Sequence, residues 1–246
     1  MSLQKPKIFS QFPDLIFGFS TRQNHKIDDK FGFNLSKSIG DDEKKVIENR
    51  SKFFAEFDLS LENVVIQKQT HSSIVNFVDK FVNSLEGDAL ITKTKNLGLA
   101  VSTADCTNIY IYDCKEKVIA AVHSGWEGTE KKILAKTIQK LKDDFNSNPQ
   151  NLFIYFGPSI SQQYYEVGKE FLNKFDKKYL TQNGEKYLLD LKAANKDMLL
   201  NLGVPNSQIE ISEICSFENP NFHSYRRDKK NSGRAFGVIA IKGSNE

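Results

Sequence analysis

The stretch STADCTNIYIYDCKEKVIAAVHSGWEGT, residues 102–129, limits the fold more than any other part of the chain. Two runs rich in Val, Ile and Tyr, 108–113 and 118–123, flank a short polar turn at about Lys115–Glu116. That pattern predicts a β-hairpin. With the turn there, Asn108 faces His123 and Cys106 faces Gly125. Cys106 and His123 then meet diagonally at the open end, where backbone neighbours lie roughly 7–8 Å apart. A slip of one residue would change the face they use but not the end of the hairpin.

The remaining patterns are mixed. Strand-like runs are LIFGFS, NVVIQK, SIVNFV, LGLAVST, LFIYFG, IEISEI and FGVIAIK, bounded by Gly, Asn, Asp or Ser. Helical spacing occurs at 42–57, at 129–145 after Thr129 as an N-cap, and at 190–202, which stops at Gly203 with Pro205 beyond. Strand pairs follow one another without an intervening helix, so the expected class is α+β with mixed or antiparallel sheets. No repeat or linker divides residues 1–246, and one domain is expected.

Composition narrows the function. The formal charge of +3 and the absence of a basic, aromatic stripe argue against a nucleic-acid partner. No apolar span reaches transmembrane length, and the N-terminal segment lacks a signal-peptide layout, so a cytoplasmic protein is expected. Three widely spaced cysteines, Cys106, Cys114 and Cys215, do not make a disulfide framework. Arginine is scarce, five against 29 lysines, yet Arg226, Arg227 and Arg234 cluster in SYRRDKKNSGR and Arg22 sits in GFSTRQN. Such planar donors suit phosphate or carboxylate, or else structural ion pairs.

A thiol and an imidazole converging at a strand end support two chemistries. One is a Cys/His nucleophile pair acting without metal, as in a hydrolase. The other is metal coordination, which needs a third ligand. His71, in QKQTHSSIV between two strand runs, suits that role, whereas His25 and His223 lie in polar loop-like stretches. Asp105 beside Cys106 offers a carboxylate to orient a ligand histidine or take a proton. Gly125 and Gly128 allow close backbone approach, and Trp126 between them can stack a planar group or serve as core or lid.

The motifs GFSTR, FNLSKSIGDD with ENR, QTHSS, GDALIT, STADC, AAVHSGWEGT, FGPSISQQYYEVG, DLKAAN and FHSYRRDKKNSGRAFGVIAI run nearly end to end. In this order they resemble the YfiH/YlmD-type family, known as multicopper polyphenol oxidases or laccase-like proteins and as purine nucleoside phosphorylases. The resemblance implies a central β-sandwich with outer helices, similar to the catalytic domain of cytotoxic necrotizing factor. It places a metal and catalytic triad on His71, Cys106 and His123, with Zn²⁺ as the expected ion. From the residues themselves, Arg22, Asn34, Trp126 and Arg227 are the candidate substrate contacts, with Arg22 and an arginine of 226–234 placed to hold phosphate.

The implied activity is phosphorolysis of adenosine, inosine, guanosine and methylthioadenosine, with deamination of adenosine. Purine nucleosides and phosphate are thus the expected partners, for a monomer or weak dimer. Editing of peptidoglycan precursors, copper-dependent phenol oxidation and non-catalytic nucleotide binding are the alternatives. Copper fits less well: a blue-copper site usually adds an axial Met, and the chain has only Met1, Met198 and four histidines. The chain departs from the family pattern at Glu127, where Arg is usual, and at Asn24-His25, where two glycines are usual.

Overall fold

The computed structural model describes residues 2–3, 5–22 and 30–243. Its strands are β1 (Ser2–Leu3), β2 (Leu15–Ser20), β3 (Val64–Ile66), β4 (Val75–Phe77), β5 (Ala89–Thr92), β6 (Gly98–Thr103), β7 (Thr107–Asp113), β8 (Val118–Ser124), β9 (Leu152–Phe156), β10 (Glu166–Val167), β11 (Leu180–Asn183), β12 (Lys186–Leu189), β13 (Ile209–Ile211) and β14 (Ala235–Ile241). The helices are α1 (Lys7–Ser10), α2 (Glu43–Ala55), α3 (Trp126–Glu130), α4 (Ile133–Phe145), α5 (Leu191–Asn201) and α6 (Tyr225–Asp228). Among the described residues no helix is long and apolar enough to cross a membrane.

Two mixed sheets form the centre, and the α+β expectation holds. One sheet has the order β1-β2-β14-β6-β3 and the other β13-β9-β7-β8-β5-β4. Antiparallel pairs occupy the middle of each, and parallel pairs lie at edges: β3 with β6, β13 with β9, and β4 with β5. A small antiparallel sheet, β10-β12-β11, stands apart from both.

The hairpin forms in the expected register, Asn108 opposite His123. Its alternate residues serve two cores. Tyr110, Tyr112, Ile119 and Ala121 join Phe17, Leu99, Val101 and Ile239 of the other sheet. Ile109, Ile111, Val118, Ala120 and Val122 pack with Ile133, Leu134, Ile138, Leu141 and Leu199 of α4 and α5. Both faces of the hairpin are therefore covered, which explains why its sequence is apolar in both phases. Between the sheets Phe17 meets Tyr110 and Tyr155 edge-on, with centroids 4.9 and 5.3 Å apart. Cutting Ile109 or Ile111 back to Ala would cost about 2–5 kcal/mol.

The other sheet has its own outer layer. Phe53 and Phe54 of α2 pack on Val64, Ala100, Phe236 and Val238. The molecule is thus layered helix, sheet, sheet, helix, with the central core between the sheets. Asp42 caps α2 by accepting from the Lys45 amide, and Asp190 caps α5 through the Ala193 amide.

Three expectations change. Thr129 is not an N-cap: α3 starts at Trp126 behind Gly125, and Lys132 in the left-handed region separates α3 from α4. The Thr129 hydroxyl instead meets the Gly125 carbonyl at 3.0 Å. NVVIQK, SIVNFV and IEISEI overstate β3, β4 and β13, which hold three residues each. Segments not assigned to strands are strands as well: ALIT of GDALIT (β5), buried throughout, the β11–β12 hairpin, and the two-residue β1 and β10.

Candidate metal centre

Cys106 stands one residue before β7, at the open end of the hairpin, and His123 ends β8 opposite Asn108. His71 arrives from the loop between β3 and β4, in the left-handed region with φ 55°. One ligand atom from each of the three lies within 4.8 Å of the others. The two imidazoles are 5.0 Å apart and nearly perpendicular.

Asp88, one residue before β5 and fully buried, holds this arrangement together. Its carboxylate accepts from the amides of Thr70, His71 and Ser72 at 3.2, 3.1 and 2.7 Å. The Ser72 hydroxyl donates to it at 2.7 Å. The same carboxylate is 2.8 Å from His123 Nδ1, and the Asp88 carbonyl accepts from the His123 amide at 2.7 Å. One side chain therefore fixes the His71 loop and the ring of His123, leaving Nε2 of that ring for the centre. These bonds also stabilise the left-handed backbone at His71, which is uncommon outside glycine.

The charges reinforce one another. Burial pushes the Cys106 thiol up, but the adjacent His123 and His71 outweigh it and bring the thiol down to about 6. Burial pulls His123 down, yet Cys106 and Asp88 raise it to about 9. His71 is also raised, through its hydrogen bond to Cys106. Burial opposes ionisation of Asp88, but bonds from His123 and Ser72 lower its carboxyl to about 2. Without a cation the centre favours a thiolate beside a protonated His123, and a bound cation would replace the imidazole protons that face the thiolate.

Two imidazoles and a thiolate are a normal donor set for zinc, with one position left open. The backbone makes room for it. A Cβ on Gly125 would lie 3.0 Å from Cys106 Sγ and 3.3 Å from His71 Cδ2. Among the described residues this is the one cluster of three or more His, Cys, Asp or Glu with such geometry. Met198 packs with the α4–α5 core, away from the centre.

The triad opens into a cavity of about 810 Å³. Its walls come from α2 (Ile47, Arg50), β3 and the following loop (Gln67, Gln69), the loop after β4 (Phe81, Val82) and the β6 and β14 ends (Ser102, Arg234, Phe236). Half-exposed Tyr225 stands at its edge.

The other sequence candidates lie elsewhere. Asp105, in the left-handed region at φ 89°, accepts from the Ser216 hydroxyl at 2.7 Å and the Arg226 amide at 2.6 Å. It ties α6 to the strand end, and Asp88 takes the histidine-orienting role. Trp126 packs on Phe171 at 5.1 Å with the Lys174 ammonium over its ring, outside the cavity lining. Buried Asn34 accepts from the amides of Ser36 and Arg234 and donates to Asp41, so it braces the cavity wall. Arg227 donates to the carbonyls of Ser216, Phe217 and Phe222 and pairs with Asp228 at 2.8 Å. Arg22 reaches the same Asp228 at 3.8 Å. His25 and Asn24 lie outside the described residues. The Glu127 charge is matched by Lys131 at 2.9 Å, whose ammonium also donates to the His71 carbonyl at 2.8 Å.

Sequence motifs contain Asp88 (GDALIT), Arg50 (ENR) and Tyr225 (FHSYRRDKK) but carry no sign that the first braces the centre or that the other two line the cavity.

The family model described as multi-copper polyphenol oxidoreductase laccase matches residues 16–242. The chain belongs to that family. Within the laccase-like family it is similar to a purine nucleoside phosphorylase of Clostridium acetobutylicum, 37% identical, over 95% of this chain and 96% of the relative. It is also similar to an adenosine deaminase of an unknown prokaryotic organism, 33% identical, over 86% and 87% of the two chains. Among solved structures, YfiH of Bacillus licheniformis superposes with a TM-score of 0.88 at 30% identity, covering 95% and 94%.

Proposed function

We propose that this protein is a zinc-dependent purine nucleoside enzyme that cleaves nucleosides with phosphate and deaminates adenosine. The observation that carries this reading is the His71–Cys106–His123 cluster, braced by one buried carboxylate and facing a cavity. Relatives named as phosphorylase and deaminase, matching over most of the chain, supply the substrate class.

Zinc held by Nε2 of His123, the Cys106 thiolate and His71 would supply Lewis acidity toward an oxygen nucleophile. The residues supply the rest. Asp88 accepts the Nδ1 proton of His123 and keeps the ring oriented through any change at Nε2. The Gly125 position leaves the centre open to substrate. The apolar walls at Ile47, Phe81 and Phe236 suit a purine ring. Adenosine, inosine, guanosine and methylthioadenosine share that ring and a ribose, which agrees with one cavity for all four.

The test is a metal analysis of purified protein together with ribose 1-phosphate and inosine formed from adenosine, with and without phosphate. Wild type contains zinc and makes both products, and Cys106→Ala makes neither. Equal rates in the two proteins would overturn the assignment.

A second reading uses the same pair without metal. A thiol lowered to about 6 beside His123 is an activated nucleophile, as a Cys/His hydrolase requires. It predicts turnover that survives exhaustive chelation and is abolished by alkylation.

A further inference from the structure

The arginines differ in what their guanidinium groups meet. Arg227 and Arg22 converge on Asp228, and Arg226 donates to the Glu166 carbonyl at 2.9 Å. Arg50 and Arg234 line the cavity instead, and among the described residues neither forms an ion pair with a carboxylate. Arg50 is held by Nε donating to the Leu35 carbonyl at 2.7 Å and by the Phe236 ring, 5.1 Å from its guanidinium. Arg234 is held by Nη1 donating to the carbonyls of Ser232 and Gly233, and by the Tyr225 ring at 5.5 Å. These contacts orient both planar groups, and none of them cancels the charge.

The strand register brings the pair together. β14 sets Ala235 opposite Thr103 and Phe236 opposite Ser102. Arg234 and Phe236 share a face of the strand, and Arg50 reaches the same Phe236 from α2. Arg50 lies against the Phe236 ring and Arg234 against the Tyr225 ring, both on the same cavity, and Arg234 lies within electrostatic reach of Cys106 and Asp105. Burial pulls Arg50 down to about 10 and lowers Arg234. Both side chains are partly buried, and Glu43 acts on Arg50 and Asp105 on Arg234 without forming an ion pair, so an anion entering the cavity meets two partly desolvated cations. A further donor waits on the same cavity: Gln67, 5% exposed, has Nε2 buried with no hydrogen-bond partner.

We propose that Arg50 and Arg234 form a subsite for a tetrahedral oxyanion, and that its occupant is inorganic phosphate, an inference that rests on the phosphorylase reading above. Two fork-shaped donors match the oxygens of phosphate. In the reaction a phosphate oxygen bonds to C1′ of the ribose as the C1′–N9 bond breaks. The electron pair leaves with the purine, which takes up a proton, and the sugar departs as ribose 1-phosphate. The same chemistry would also accept the 5′-phosphate of a nucleotide, so the experiment separates the two.

Calorimetric titration of the full chain with inorganic phosphate, and the KM values for phosphate and inosine, are compared in wild type, Arg50→Lys and Arg234→Lys. Each variant keeps the charge and loses the fork, so phosphate Kd and KM rise about tenfold or more, with a smaller change in inosine KM. Unchanged phosphate affinity in both variants overturns the subsite. On wild type alone, phosphate protects Arg50 and Arg234 from phenylglyoxal, and absence of protection overturns it without any variant. If AMP binding weakens in the variants and phosphate binding does not, the inorganic phosphate assignment falls. Phosphate binding that needs both arginines in a protein making no ribose 1-phosphate would sink the activity and leave the subsite standing. Turnover with unaltered phosphate constants in the variants would do the reverse.

Discussion

The β7–β8 hairpin carries a cysteine and a carboxylate network at each end, and the two ends behave in opposite ways. At the turn, burial and the nearby Asp113 raise the Cys114 thiol. At the open end, two imidazoles bring Cys106 down to about 6. The turn network is built outward: Lys117 donates to Asp14 at 2.9 Å and to the Tyr112 hydroxyl at 2.8 Å, with half of its side chain exposed. The open-end network is built inward, around an Asp88 carboxylate with no exposure. A thiol near a carboxylate is therefore not yet a site. Cations converging on it in a buried place, with a glycine leaving room, are what make the difference.

The largest contrast is in turnover and metal. Cys106→Ala lowers nucleoside turnover by about 100-fold or more and removes bound metal, while Cys114→Ala leaves both at wild-type levels. Steady-state kinetics with metal analysis checks this, and equal losses at the two cysteines would erase the distinction.

Asp88→Asn comes next. It keeps the size of the side chain but removes the charge that faces His123 and the three loop amides. Metal affinity or turnover falls about 10- to 100-fold. A stability readout separates this from a generic defect. The Asp88 carboxyl is lowered to about 2 from an ordinary 3.8, so its contribution is complete above pH 4 and lost as pH falls through 2. That contribution is about 2 kcal/mol. Denaturant titrations of metal-free wild type between pH 4 and 2 show the loss, and Asp88→Asn lacks it.

Much of this contrast was legible in the residues. The turn at Lys115–Glu116 fixed the register, and the register placed Cys106 near His123. Beyond His71 as a third ligand, contacts between segments far apart in sequence could not be read from the residues. Asp88 lies 35 residues from His123, and its role depends on β5 pairing with β8. ALIT is too short and too evenly apolar to show a strand period. Asp105 adjoins Cys106 in sequence, but its left-handed backbone accompanies a side chain bound to Ser216 and the Arg226 amide. The scarcity of arginine singles out Arg22, Arg226, Arg227 and Arg234; Arg227 is taken up by backbone carbonyls and Asp228, Arg234 lines the cavity, and Arg50, which lines it too, sits in α2 as one residue of a helix period.

A third contrast is in thiol reactivity. In metal-stripped protein at pH 7, Cys106 is mostly thiolate and Cys114 mostly thiol, so iodoacetamide modifies Cys106 faster by roughly tenfold or more. Peptide mapping against pH gives a midpoint for Cys106 near 6 and a rise for Cys114 only at alkaline pH. Coincident profiles would mean that the two imidazoles do not act on Cys106 as the geometry requires.

The smallest effect tests whether the two ends are independent. Asp14→Asn removes the carboxylate that Lys117 and Tyr112 share at the turn. Solvent reaches both Asp14 and Lys117, with side chains 34% and 52% exposed, so their attraction is screened. The loss of stability should stay below about 1 kcal/mol and shrink further in 1 M salt. Urea denaturation at two salt concentrations measures it, and the Cys106 alkylation midpoint is read on the same variant. That midpoint should not move, because the hairpin between the ends is a ladder of buried apolar residues with no titratable relay other than Tyr110 and Tyr112. A cost well above 1 kcal/mol, or a shifted midpoint, would show that the turn network reaches the centre along the strands and that the two ends are one electrostatic unit.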